Sequence, residues 1–409
     1  MKMKRMVMAL ALLASAGIGP AAAGNGAVKI GVLSDMAGIY SDISGAGALI
    51  AAQLAVEDFG GKALGKPIEL VSADHQTKPD VGLAIARRWI DSEGVDAIVD
   101  VPVSSIGLAI QALTLEKDRI FLNSSGAASD FTGKACSPLA SQWPHDTYIM
   151  GTSVGRAVVQ SGGKRWFFLT ADYVFGHNLE RDTMAAVKKA GGTVLGSARH
   201  PLNTQDFSSF LLQAQSSKAD VIGLANAAGD TTQAIKQASE FGLSAGGTRL
   251  AATLLFITDV HAMGLKIAQG TVLTEPFYWD LDDSSRAWSK RFMARIGGKA
   301  PGTLQASVYS SVLHYLKAVE KVGSTDARKV SEAMKEMRIS DALIKDGYIR
   351  ADGRVMRDYY LFQIKAPEES KYPWDYYKLI LRIPPEEVTR PLSEGGCPLV
   401  TEAKASPAR

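Results

Sequence analysis

The chain has 409 residues, 45 basic against 42 acidic, a formal charge of +3, and 46% hydrophobic residues. These figures exclude a broad basic face for nucleic acid, which needs a strongly basic domain, and an acidic disordered chain, which cannot build a large core. The excess charge sits at one end: Lys2, Lys4 and Arg5 are the only charged residues in the first 23, and without them the two counts are equal.

The N-terminus reads as a targeting segment. MKMKR is a cationic start, Met6 to Ile18 is apolar or small, and Ala21-Ala22-Ala23 offers a cleavage site before Gly24. This is the pattern of a secretory signal peptide over residues 1–23, with the mature chain exported. The apolar run falls short of the roughly 20 residues needed to span a bilayer. No Cys follows the cleavage site to carry a lipid.

Strands and helices then alternate. Val28–Leu33 reads as a strand, and Ala46–Phe59 as a helix ending at Gly60-Gly61. Next come strand Ile68–Ser72, helix Asp80–Ile90, strand Ala97–Val101, helix Ile106–Glu116 and strand Ile120–Leu122. After a crossover at Ser141–Gly151 the pattern restarts. Arg165–Thr170, Thr193–Leu195 and Val221–Ala225 read as strands; Glu180–Ala190, Phe207–Ser216 and Thr231–Phe241 read as helices. A second crossover is expected near Trp279–Ser284, and Leu304–Val322 reads as a helix returning to the first lobe. This predicts an α/β fold of two doubly wound parallel-sheet lobes. The lobes are residues 24–145 with 281–366, and 146–280. Residues 367–409 hold seven of the sixteen prolines and are expected as an extended tail.

There are two cysteines, Cys136 and Cys397. In an exported chain they form either one bridge or two free thiols. The expectation is a bridge pinning the tail to the first lobe. No CxxC, HxH or HxxxH spacing occurs, and no P-loop or G-x-G-x-x-G follows a strand, so no metal or cofactor is expected.

In two such lobes ligands sit beyond the carboxyl ends of the strands. Those loops, with VKIGVLSDMAG, AVEDFGG, SADHQTKPD and DYVFG in this order, resemble a type I periplasmic solute-binding protein. The closer resemblance is to the leucine/isoleucine/valine-binding family of ABC importers. It extends over Val28 to Ile380. It implies three crossovers acting as a hinge, a ligand trapped between closing lobes, a membrane ABC permease as partner, a monomer, and no nucleic acid.

The resemblance carries over a ligand set. Val103, Ser104 and Ser105 match the hydroxyl and backbone groups that hold the ligand carboxylate, in keeping with a helix start that offers free N–H groups. N-capping is the competing role for either serine. Gly126, Ala127 and Ala128 match a loop whose small residues bring backbone to the ligand. Tyr173 and Phe175 match a loop whose aromatic packs on it. Asn226 stands where a Tyr is expected, and Asp230 is the acid nearest the place of an ammonium partner, with capping of a helix at Thr231 as its alternative. The loop 252–256, ATLLF, carries no carboxylate. Phe277, Tyr278 and Trp279 offer an aromatic wall, with interlobe packing as the alternative. Since an unpaired buried ammonium is costly, this set predicts a carboxylate ligand with an aromatic or branched apolar body.

Two other functions are weighed. A sensory co-receptor would use the same trap with a different partner. Gly151-Thr152-Ser153-Val154-Gly155 fits the hydrolase G-x-S-x-G pattern, but its Ser must sit on a strand–turn–helix, and the strand before it would lie inside the crossover.

Overall fold

The computed structural model describes residues 27–243 and 247–400; the expected signal segment and the last residues of the expected tail lie outside them. The first sheet holds six strands: β1 (Val28–Ser34), β2 (Lys62–Ala63), β3 (Lys66–Asp74), β4 (Ala97–Asp100), β5 (Ile120–Asn123) and β6 (Ala140–Gln142). Their order is β2-β3-β1-β4-β5-β6, parallel throughout except at the β2–β3 hairpin. Helices α1 (Gly45–Phe59), α2 (Pro79–Asp91) and α3 (Ser104–Glu116) connect them. Continuous apolar runs such as Ala97–Val99 suit strands buried on both faces.

The second lobe follows α4 (Thr147–Gln160). Strands β7 (Arg165–Ala171), β8 (Thr193–His200), β9 (Val221–Ala225) and β10 (Arg249–Ala252) form a parallel sheet in the order β10-β9-β7-β8. Its helices are α5 (Val174–Lys189), α6 (Ser208–Ser216), α7 (Gly229–Glu240), α8 (Ile257–Met263) and α9 (Leu265–Ala268). Helix α5 starts at once after β7 because Gly176 sits against the strand: a Cβ there would meet the Ala171 carbonyl oxygen at 2.0 Å. This contact aims Tyr173 and Phe175 back toward the first lobe.

The chain then returns. Helices α10 (Asp283–Met293), α11 (Thr303–Val322) and α12 (Ala327–Glu336) join the first lobe, where α11 lies on α1. The buried face of α1 is Gly45, Gly47, Ala48, Ala51, Ala52, Leu54 and Ala55, mostly small, so the two backbones approach closely. Strands β11 (Val272–Glu275), β12 (Tyr348–Ile349), β13 (Val355–Met356), β14 (Tyr359–Ile364) and β15 (Tyr377–Ile383) follow, with a last short helix α13 (Pro385–Val388). An antiparallel sheet β11-β14-β15 lies beside the crossovers.

Here the structure corrects the expected tail: its residues 377–383 are a sheet strand, and its prolines flank the strand instead of dissolving it. Cys136 and Cys397 are joined in a disulfide with Cα atoms 5.6 Å apart. The G-x-S-x-G run lies inside α4, capped upstream by Asp146, so Ser153 is not on a strand–turn–helix elbow.

Candidate ligand-binding cleft

The carboxyl ends of the two parallel sheets face each other. From the first lobe Tyr40, Ile43, Pro102, Ser125 and Ala127 line a small space. Tyr173, Phe175, Ala227, Leu254 and Phe256 close it from the second, and His145 and Leu304 from the hinge and α11. One apolar cluster runs across the seam from Tyr40 and Ile43 to Ala227, Leu254 and Phe256. The space left is about 20 Å³, room for about one water. The lobes are therefore closed on each other, and a ligand enters only when they part.

The closure has two polar clasps. The Tyr40 and Tyr173 hydroxyls meet at 2.6 Å across the cleft. Burial pushes both phenols well up, so each keeps its proton and one donates to the other. At the rim, Ser129 Oγ donates to Asp182 at 2.7 Å, Arg181 Nη2 donates to Ser129 Oγ at 2.7 Å, and Arg181 approaches Asp130 at 3.4 Å. Thr147 Oγ1 also donates to Asp182, at 2.6 Å.

The first-lobe face is built on a buried carboxylate. Asp100 ends β4; Ser44 Oγ donates to it at 2.5 Å, and Ser125 Oγ also donates to it. Burial pushes the Asp100 carboxyl up, and the hydroxyls of Ser125, Ser34 and Ser44 oppose that. Because Ser125 spends its proton on Asp100, toward the cavity its oxygen is an acceptor. Asp100 and Val101 have φ of +84° and +64°, a strained turn that leads through Pro102 into α3. A β-branched residue rarely adopts such a conformation, and strain of this kind concentrates at binding sites.

The predicted residues divide. Ala127, Tyr173 and Phe175 line the cavity. Ser104 and Ser105 are the first two residues of α3, and the cap position is Val103, which makes no side-chain cap bond; neither serine is an N-cap. The Ser104 hydroxyl accepts from Ala128 N at 3.2 Å, so that N–H is committed within the first lobe. Gly126 lies behind the lining, its carbonyl accepting from Asn123 and Gln142 at 3.0 Å each. Asn226 is spent on His200 and Thr231, at 3.0 and 2.8 Å. Asp230 lies within α7 and does not cap Thr231; it accepts the backbone N–H groups of Asn203 and Thr204 at 3.2 and 2.9 Å, tying the loop after β8 to α7. Burial pushes its carboxyl up to about 6 against those two bonds.

The aromatic wall is not where it was expected. Phe277, Tyr278 and Trp279 belong to the first core cluster with Trp288, Trp374 and Tyr377. The Tyr278 hydroxyl and the Trp279 ring N–H both donate to the Trp374 carbonyl, at 3.2 and 2.8 Å. Their partners come from the residues read as a tail, which is why packing claims them. The aromatic rings that line the cavity are instead those of Tyr40, Tyr173, Phe175 and Phe256. Tyr40 follows β1 in a loop marked as a candidate ligand end, and that position was its only signal. His145, Leu254, Phe256 and Leu304 belong to no motif. No carboxylate is among the lining residues.

The chain is similar to known proteins in sequence and in fold. The family profile described as periplasmic binding protein matches residues 27–371. A Leu/Ile/Val-binding protein homolog 6 of Brucella melitensis is 27% identical over 338 residues, 81% of this chain and 85% of that protein. A periplasmic binding protein of Burkholderia mallei is 50% identical with a TM-score of 0.90, over 92% of this chain and 100% of the other. A branched chain amino acid ABC transporter periplasmic ligand-binding protein of Burkholderia xenovorans is 41% identical with a TM-score of 0.80, over 91% and 99%. With its profile spanning nearly the whole described chain and its two lobes closed around one cleft, the protein belongs to the periplasmic binding protein family.

Proposed function

We propose that the protein captures a small aromatic carboxylate in the periplasm and presents it, as a monomer with its lobes closed, to a membrane ABC permease. Export through the segment at residues 1–23 is part of this reading. The observation that carries it is the lining: four aromatic rings and no carboxylate. Aromatic walls favour a flat ring. The start of α3, with the unpaired N–H groups of its first turn and a favourable dipole, suits the carboxylate. An α-amino acid would bring an ammonium into a cavity with no opposite charge on its walls, at a cost of several kcal/mol.

The relatives named for branched-chain amino acids supply the competing ligand class. A thermal-shift and calorimetry panel of benzoates against leucine, isoleucine and valine separates the two, since a true ligand in excess raises the melting temperature. Benzoates alone should bind. Ser105→Ala should weaken that binding by roughly 0.5–1.5 kcal/mol with an unchanged fold, because Ser105 is half-buried at the helix start. Leucine binding with no response to benzoates would sink the reading.

A further inference from the structure

The polar atoms of the cavity are nearly all committed. Tyr40 and Tyr173 bond each other, and Ser125 donates to Asp100. His145 differs from these in having no hydrogen-bond partner at either ring nitrogen among the described residues, whereas the Ser125 oxygen, also free to accept from the cavity, has at least spent its proton. The His145 side chain is 1% exposed. It lies on the crossover between β6 and α4, fixed by its neighbours: Asp146 Oδ1 accepts from Ile149 N at 2.9 Å, and Thr147 N donates to the Ala127 carbonyl at 2.8 Å. Its ring packs against that of Phe256, with centroids 6.0 Å apart, and both rings line the cavity. Buried polar atoms are rarely left without partners, and such exceptions call for a reason.

We propose that His145 is the hydrogen-bond acceptor for the ligand, and that the ligand is an aromatic acid carrying a ring hydroxyl. This rests on the aromatic-carboxylate reading above and narrows it. Nδ1 lies 3.4 Å from Glu275 Oε2, a contact without hydrogen-bond alignment, and the same carboxylate accepts the Thr303 hydroxyl. A negative charge beside Nδ1 favours the proton on that nitrogen, as neighbouring carboxylates do in oriented histidines. Nε2 is then a bare acceptor. A neutral donor on the ring satisfies it without adding a positive charge to the ligand's carboxylate. A phenol does this, whereas an ammonium would need a counter-charge that the walls lack.

The test is calorimetry of the full chain with benzoate, 3- and 4-hydroxybenzoate, 4-methoxybenzoate and leucine, on wild type and His145→Phe. A hydroxybenzoate should bind wild type about tenfold or more tighter than benzoate, since a site built to bond a hydroxyl rejects its absence. 4-Methoxybenzoate, which keeps the oxygen and loses the proton, should show no such gain. In His145→Phe the preference for hydroxybenzoates over benzoate should vanish, whatever affinity for benzoate remains. Equal affinity of wild type for benzoate and both hydroxybenzoates overturns the inference and leaves the aromatic reading standing. Equal weakening of all the aromatic acids in the variant also overturns it, because His145 would then meet the carboxylate. Binding of leucine alone overturns both. Should the variant not fold, the ¹⁵N resonance of wild-type His145 Nε2 decides: it must move with hydroxybenzoate and not with 4-methoxybenzoate.

Discussion

The two faces of the cleft are made of different material. Behind the first-lobe face lies a polar, prearranged layer: Asp100 gathers serine hydroxyls, including that of Ser125 on the face itself, and a strained turn leads into the start of α3. The second-lobe face is Tyr173, Phe175, Ala227, Leu254 and Phe256, almost wholly apolar, and its own buried acid, Asp230, faces away into a loop anchor. On the reading proposed above, a ligand that meets the first lobe is oriented there by its charge. The apolar face then gains its contacts only on closure, so hydrophobic burial rewards the closed state. Division of labour between lobes needs no charged side chain in the cavity.

This contrast can be broken from either side. The largest effect is expected for Phe256→Ala, which removes a buried ring from the apolar face: a loss of about 3–5 kcal/mol in urea unfolding, together with weaker binding of any ring-bearing ligand. If affinity is untouched in a variant that still folds, that face does not hold the ligand.

The next effect is a pH dependence to which the second lobe's anchor contributes. The Asp230 carboxyl rises from 3.8 to about 6 on folding, because burial outweighs its two N–H bonds. A carboxyl that holds its proton more tightly when folded stabilises the fold below its unfolded value, and this contribution is lost as pH rises through 6. The loss is at most about 3 kcal/mol. Urea midpoints measured from pH 4 to 7 should fall accordingly, and Asp230→Asn should flatten that slope. An unchanged slope in the variant would assign the pH dependence to other acids, such as Asp259, which burial raises to about 7.

The smallest effect sharpens the closure itself. Tyr40→Phe deletes the 2.6 Å bond between the faces, worth about 1 kcal/mol, and should shift the unliganded ensemble toward open lobes. Small-angle scattering would register the larger radius of gyration; an unchanged profile would give the closure to apolar contact and the Ser129–Asp182 clasp alone.

Much of the fold was legible from periodicity. Val221–Ala225 is a strand with the expected ends, and α11 starts one residue before its expected start. The misses have physical causes. Helix α5 begins at Val174, six residues earlier than expected, inside the DYVFG motif, because Gly176 packs directly on Ala171 of the strand, a contact no local periodicity reveals. Composition could not tell a core aromatic from a site aromatic: Trp279 is held by Trp374, 95 residues away, which no local pattern reveals. Ala127, Tyr173 and Phe175, which line the cavity, were named through the resemblance and the strand-end rule. His145 stayed silent because one histidine between Pro144 and Asp146 carries no spacing, and only its uncommitted nitrogens single it out.

The bridge between Cys136 and Cys397 has a consequence for cleavage. The two positions are 261 residues apart, so everything between them, including the whole second sheet, is a covalent ring. A protease that nicks any one loop of that ring leaves a single molecule whose pieces remain tied. Only a second cut, or a reductant, can release the second lobe from the first.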